Sequence, residues 1–143
     1  MAGLVVVDAS LAVKWGLPEP YTEQAFELAD RWADDETQLI APCLILAEIT
    51  NAIYKRVNRR EMDLSTARQA LHTVLGFGIE IREEPGLPER VLELAHELKM
   101  SATYDAHYLA LAEKYGCDLW TGDRRLYNST KNMFSWVKWV GEF

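Results

Sequence analysis

Four acidic residues stand apart from the other charges of the chain. Asp8 is the only charged residue among the first thirteen and closes the apolar run Leu4-Val5-Val6-Val7. Glu48 is the only charge between Glu36 and Lys55, inside CLILAEITNAI. Asp105 is the only formal charge between Lys99 and Glu113, inside ATYDAHYLALA, and Asp123 follows Asp118-Leu119-Trp120-Thr121 after one glycine. Carboxylates are seldom fully buried unless paired, so these apolar surroundings call for a reason. Local reasons exist for three of them. Asp8 could cap the helix that follows it, Asp105 could favour a helix dipole, and Asp123 could be a turn residue beside Gly122. Glu48 has the weakest such reason, because a glutamate in the middle of an apolar helix gains nothing locally.

Brought into one cleft, four carboxylates repel. Two unit charges 4 Å apart cost roughly 4 kcal/mol at an effective dielectric near 20. Such a cluster must take up protons or bind a cation. All-oxygen ligands suit magnesium, manganese or calcium better than zinc or copper. His107, near Asp105, is a candidate ligand or base, with a packed or surface histidine as the plainer explanation. An acidic pocket holding one or two magnesium ions suggests phosphodiester hydrolysis, which needs no protein nucleophile. No Gly-rich phosphate loop, G-x-S-x-G elbow or Cys-His signature competes with that reading.

The elements around the acids read as α/β, with strand-like and helix-like runs alternating around a mainly parallel sheet. Strands are expected at 3–7, 38–41, 79–82 (near an edge), 118–121 and 136–140. Helices are expected at 10–17, along the Tyr21, Ala25, Leu28, Ala29 and Trp32 stripe, from Pro42 to about Arg59, and from Asp63 to Gly76 or Gly78. Two more follow, one after Pro88 and one capped by Thr103 and ended by Gly116. In a doubly wound sheet, ligands bind outside the carboxyl ends of the strands. Asp8 and Asp123 lie at such ends. Glu48 is in the second turn of a helix leaving the second strand from that edge. Asp105 begins a helix whose start is also at that edge. All four can face one cleft.

With 143 residues, the chain is expected to form a single domain (1–143) with a core large enough to need no disulfide or zinc. Cys43 and Cys117 read as two small buried hydrophobes. The 15 basic and 22 acidic residues give a net charge of −7, which disfavours a protein coating nucleic acid by bulk attraction but not a metal-dependent nuclease. The start MAGLVVVDAS lacks the basic n-region of a signal peptide and no segment reads as membrane-spanning, so a cytoplasmic location is expected. The basic stretch Lys55 to Arg60, with its Arg59-Arg60 pair, reads as a helix end placed against the macrodipole, with an RNA-backbone role as the alternative.

Asp8-Ala9-Ser10, the isolated Glu48, the run from Tyr104 to Ala112 and Thr121-Gly122-Asp123-Arg124-Arg125-Leu126 resemble the successive motifs of PIN-domain ribonucleases, and most of all VapC-type toxins of toxin–antitoxin pairs. Ser10 to Glu19, with Lys14-Trp15, is also similar to that group. The resemblance covers essentially the whole chain. It implies a PIN-like sheet of strand order 3-2-1-4-5 with helices on both faces, and a magnesium- or manganese-dependent endoribonuclease. It implies Asp8, Glu48, Asp105 and Asp123 as the acidic quartet, with Asp8 and Asp105 the surest metal ligands. Ser10 and Thr121 would orient the carboxylates. It further implies an RNA substrate, a cognate antitoxin laying a basic side chain among the acids, and a homodimer. Lys14, Arg124 and Arg125 are candidates for RNA phosphate, with solvated surface charge as the alternative for each. Trp15, Trp32, Tyr54 and Trp136 are candidates for interface or groove contacts, with the tryptophans equally able to serve the core. A free-standing RNA-processing nuclease of the same fold is the alternative. From other classes come a metal-dependent adhesion module, for which Ala12 stands where a serine belongs, and a phospho-acceptor receiver domain, which lacks paired acids and a lysine partner.

Overall fold

In the computed structural model, residues 3–143 are described; Met1 and Ala2, where the reading of the N-terminus begins, lie outside them. The strands are β1 (Leu4–Val7), β2 (Gln38–Ala41), β3 (Glu80–Ile81), β4 (Asp118–Thr121) and β5 (Val137–Trp139). The helices are α1 (Ala9–Ala12), α2 (Thr22–Asp34), α3 (Leu44–Asn58), α4 (Leu64–Leu75), α5 (Leu87–Glu97), α6 (Tyr104–Tyr115) and α7 (Arg124–Thr130). The strands form one sheet in the order β3-β2-β1-β4-β5, every pairing parallel. This is the expected doubly wound sheet.

The topology follows from the apolar strands. Val5, Val6 and Val7 are all buried, as a central strand covered on both faces requires. Val5 pairs with Leu39 on one side and Asp118 on the other. The chain moves outward from β1 to β3 and then returns to the other side of β1. Right-handed crossovers place the helices before and after that reversal on opposite faces. The packing agrees: α6 lies against β1, β4 and α5, whereas α3 lies against α1 and α4. The reversal between β1 and β4 is the point where such sheets bind ligands.

Several local expectations need correction. The helix expected at 10–17 is α1 followed by a 3₁₀ turn, Val13–Trp15. Thr103 precedes α6 but its side chain makes no capping hydrogen bond. The sequence reading contained no helix after Asp123, where α7 stands. Cys43 is exposed and Cys117 half-buried, so neither is a fully buried hydrophobe. Trp15 and Trp32 belong to the core rather than to an interface. Trp15 stacks on Phe77 with ring centroids 4.4 Å apart, and its Nε1 donates to the Ala25 carbonyl at 2.9 Å. Tyr54 is exposed and Trp136 half-buried. Among the described residues, no helix is long and apolar enough to cross a membrane.

Gly16 lets α4 approach the 3₁₀ turn. A Cβ there would lie 2.7 Å from both the Ala70 carbonyl oxygen and Val74 Cγ2. Because the first of these is backbone, it cannot swing away. Gly16→Ala is therefore expected to lower stability by about 1–3 kcal/mol, read as a lower urea midpoint with an unchanged m-value; an unchanged midpoint would contradict the close approach.

Candidate active site

The site begins where β1 ends. Asp8 has an extended backbone (φ −100°, ψ 173°) and caps α1. Its Oδ1 accepts from the Leu11 amide at 3.0 Å and from Ser10 Oγ at 2.7 Å. Its Oδ2 accepts from Thr121 Oγ1 at 2.5 Å, across 113 residues of sequence. The two hydroxyls also hold the β4 end in place: Ser10 Oγ accepts from the Gly122 amide and Thr121 Oγ1 from the Asp123 amide, each at 2.9 Å. Ser10 and Thr121 thus both bond to Asp8, and they join the ends of β1 and β4.

Gly122 makes this joint possible. A Cβ on it would fall 2.6 Å from the Ser10 carbonyl oxygen and 2.8 Å from Lys14 Cε. Lys14 itself departs from expectation. It is 6% exposed, and its Nζ pairs with Glu19 Oε1 at 3.3 Å. Glu19 Oε2 in turn accepts from Arg56 Nη2 at 3.0 Å. A lysine buried, paired and lying beside the Gly122 turn is neither a solvated charge nor a phosphate contact. It supports the loop that carries Asp123.

The remaining acids enter from helices. Asp105 sits in the first turn of α6, and Asp123 caps α7, its Oδ1 accepting from the Arg125 amide at 2.9 Å. Glu48 projects from α3, and its Oε1 accepts from Tyr108 Oη at 2.5 Å. Glu48, Asp105 and Asp123 line one cleft of about 530 Å³ together with Arg125 and Ser129. Asp8 forms its buried inner neighbour, close enough to Asp105 for their charges to interact. Among the described residues, no three carboxylate, histidine or cysteine side chains converge into a finished ion cage. Three of the four acids thus line one cleft and Asp8 lies buried beside it; the four do not meet as a single cage.

Two of these carboxyls are raised, first by burial and then by their like-charged neighbours. Burial pushes the Asp8 carboxyl up to about 6, against the pull of the Thr121, Ser10 and Leu11 donors, and the Asp105 charge adds to the rise. Asp105 is also raised, first by desolvation, then by Asp123 and Glu48. Tyr108 is raised by burial and by its bond to Glu48, so it stays protonated and donates. The donor set is all oxygen, and its anionic forms are held at a cost. Such a set fits a hard divalent cation, whose charge removes the penalty.

Tyr108 is the functional contact that the sequence reading missed. It stands three residues after Asp105, on the same side of α6, and that spacing was the available signal. Arg124 and Arg125 separate: Arg125 lines the cleft, whereas the Arg124 guanidinium lies over the Trp139 ring, 5.2 Å from its centroid. His107 Nδ1 is 2.8 Å from the Thr103 carbonyl oxygen, so that nitrogen carries hydrogen and ties down the start of α6. Arg59 and Arg60 end α3 in solvent, apart from the residues lining the cleft.

The PIN-domain family model matches residues 5–131. The chain belongs to the PIN-domain family, and within it is of the VapC type. Ribonuclease VapC9 of Mycobacterium tuberculosis is 32% identical over 123 residues, covering 86% of this chain and 88% of that protein. Exonuclease VapC9 of Pyrobaculum aerophilum is 34% identical over 102 residues, covering 71% and 74%. The crystal structure of PAE2754 from Pyrobaculum aerophilum superposes with a TM-score of 0.70 at 27% identity, over 99% of this chain and 94% of that one.

The raised Asp8 carboxyl sets a pH dependence. Its ordinary value of 3.8 rises to about 6 on folding, so the folded state holds the proton more tightly than the unfolded one. The resulting stability is complete below about pH 4 and is lost as pH rises through 6, on the order of 3 kcal/mol. Asp8→Asn removes this penalty and keeps the capping oxygen. Without divalent metal at pH 7.5, the variant is expected to unfold at higher denaturant than the parent, and the gap should close at pH 4. A variant less stable than the parent at both pH values would contradict the assignment.

Proposed function

We propose that this protein is a divalent-metal-dependent endoribonuclease using magnesium or manganese, and the toxin of a toxin–antitoxin pair. The observation that carries the reading is the acidic cleft at the β1–β4 reversal, with two of its carboxyls raised above their ordinary values. The ribonuclease names of its relatives support the same reading. Asp8 and Asp105 would hold the ion, with Glu48 and Asp123 binding a second one or acting through water. When bound, the ion supplies positive charge at the scissile phosphate and a nucleophilic water at neutral pH.

The chain's own residues do the positioning. Ser10 and Thr121 leave Asp8 only the lone pairs that they and Leu11 do not occupy, so its orientation is set before any ligand arrives. The Tyr108 hydroxyl occupies Glu48 Oε1 and leaves Oε2 for a ligand. Arg125 adds a cation beside Asp123 for the RNA strand. The anionic cleft also suits a basic side chain from a cognate antitoxin, which would take the place of the ion. A cytoplasmic homodimer completes the proposal.

One relative is named an exonuclease, which favours end-dependent cleavage as a second reading. A circularised single-stranded RNA separates the two, because only an endonuclease can open it. With magnesium or manganese the protein is expected to linearise the circle, and chelator to stop it. Asp105→Asn should lower the rate by more than about 100-fold, beyond the loss of an outer partner, with a near-parental melting temperature. Cleavage of linear but not circular RNA would establish the second reading. Parental rates in Asp105→Asn would end the metal mechanism. Tyr108→Phe keeps the packing and frees Glu48. It is expected to weaken manganese binding, followed by calorimetry without RNA, by about 10-fold, and unchanged affinity would show that the hydroxyl does not position Glu48. A small adjacent gene encoding an antitoxin would favour the toxin assignment over a free-standing processing nuclease.

A further inference from the structure

The acidic cleft also carries cations. Lys99, from the loop between α5 and α6, and Arg125, from the first turn of α7, both line it. Both are exposed. Among the described residues neither forms an ion pair, whereas Lys14, Arg56, Arg82 and Arg90 all do. Arg31, Arg124 and Lys131 lie over aromatic rings instead. The two cleft cations therefore stand beside Glu48, Asp105 and Asp123 without closing on any of them. Their charge is left for a third party.

The backbone at Lys99 adds to this. Lys99 has φ 54°, in the left-handed region that favours glycine. It closes α5 in a Schellman arrangement: its amide donates to the His96 carbonyl at 3.2 Å and the Met100 amide to the Ala95 carbonyl at 2.9 Å. Gly116 takes the same conformation after α6. Glu36 and Arg60 close α2 and α3 in the same way, so conformation alone does not single out Lys99. Its position in the acidic cleft does. A lysine held there at a cost to the fold delivers a charge where glycine would deliver none.

We propose that Lys99 and Arg125 bind phosphates of a single-stranded RNA on either side of the phosphate presented to the acids. This rests on the ribonuclease reading. Arg125 offers a planar fork that matches phosphate oxygens, and Lys99 a mobile point charge. Together they draw a polyanion to a cleft whose carboxylates repel it. Ser101, which lines the same cleft, adds a hydroxyl donor along the path.

The test measures binding of a labelled single-stranded RNA to the full chain carrying Asp8→Asn, with magnesium, across a salt series. In that background Lys99→Gly and Arg125→Ala are each expected to weaken binding roughly tenfold. Each should also flatten the slope of log affinity against log salt by about 0.7, one phosphate contact on a single strand. Lys99→Arg should keep the slope. Lys114→Ala, a cation at the far end of α6, should leave both quantities unchanged. Lys99→Gly should also raise the melting temperature by about 2–4 °C, so weaker binding cannot be ascribed to a damaged fold. Unchanged affinity and slope in Lys99→Gly, while the background still binds, would overturn the proposal. So would an equal loss in Lys114→Ala, which would reduce the effect to bulk charge. An Asp8→Asn background that binds no RNA, together with a parental protein that cleaves none, would instead overturn the ribonuclease reading.

Discussion

The buried carboxylate of Asp8, pinned between two strands that are neighbours in space and distant in sequence, is the constraint that shapes this molecule. Its oxygens bind the Leu11 amide and the hydroxyls of Ser10 and Thr121. Those hydroxyls in turn hold the amides of Gly122 and Asp123. The β1–β4 seam is thus closed by a polar joint as well as by the ladder. The joint requires a glycine at 122, because any Cβ would strike the Ser10 carbonyl. It also explains why a lysine is buried beside it, since the Lys14 side chain fills the space next to that glycine and its charge is met by Glu19.

Stability and chemistry pull in opposite directions here. Burying a carboxylate among like charges disfavours its ionised form, and the raised Asp8 and Asp105 carboxyls record that strain. The apolar frame tolerates it. Val5, Val6, Val7, Ile40 and Leu119 are all buried, and each buried side chain of that size contributes about 1.5–3 kcal/mol. A divalent ion entering the cleft would turn the uncompensated charge into a ligand set. The same groups whose burial weakens the fold are the ones that would bind the ion.

Much of this was legible in the chain. An acid standing alone among apolar residues is a strong signal, and all four isolated acids come to one edge of the sheet. The apolar strand runs and the glycine stops placed most elements within a residue or two. What was not legible depends on partners far away in sequence. Lys14 looks like a surface lysine until Glu19 and the Gly122 turn are packed against it. Tyr108 looks like one more core aromatic until Glu48, 60 residues earlier, comes within reach of its hydroxyl. The helix α7 escaped because it is short and buries only Leu126 and Thr130, too few for a periodic stripe. Lys99 escaped because a left-handed helix end is usually marked by glycine.

The 113 residues that separate Asp8 from Thr121 have a consequence for biosynthesis. The first acid of the cleft is made well before the hydroxyl that orients it and the carboxylate of Asp123, which follow more than a hundred residues later. A nascent or truncated chain stopping short of β4 holds Asp8 with no strand to complete the joint. The geometry of the candidate site is complete only once β4 has been made and has paired with β1.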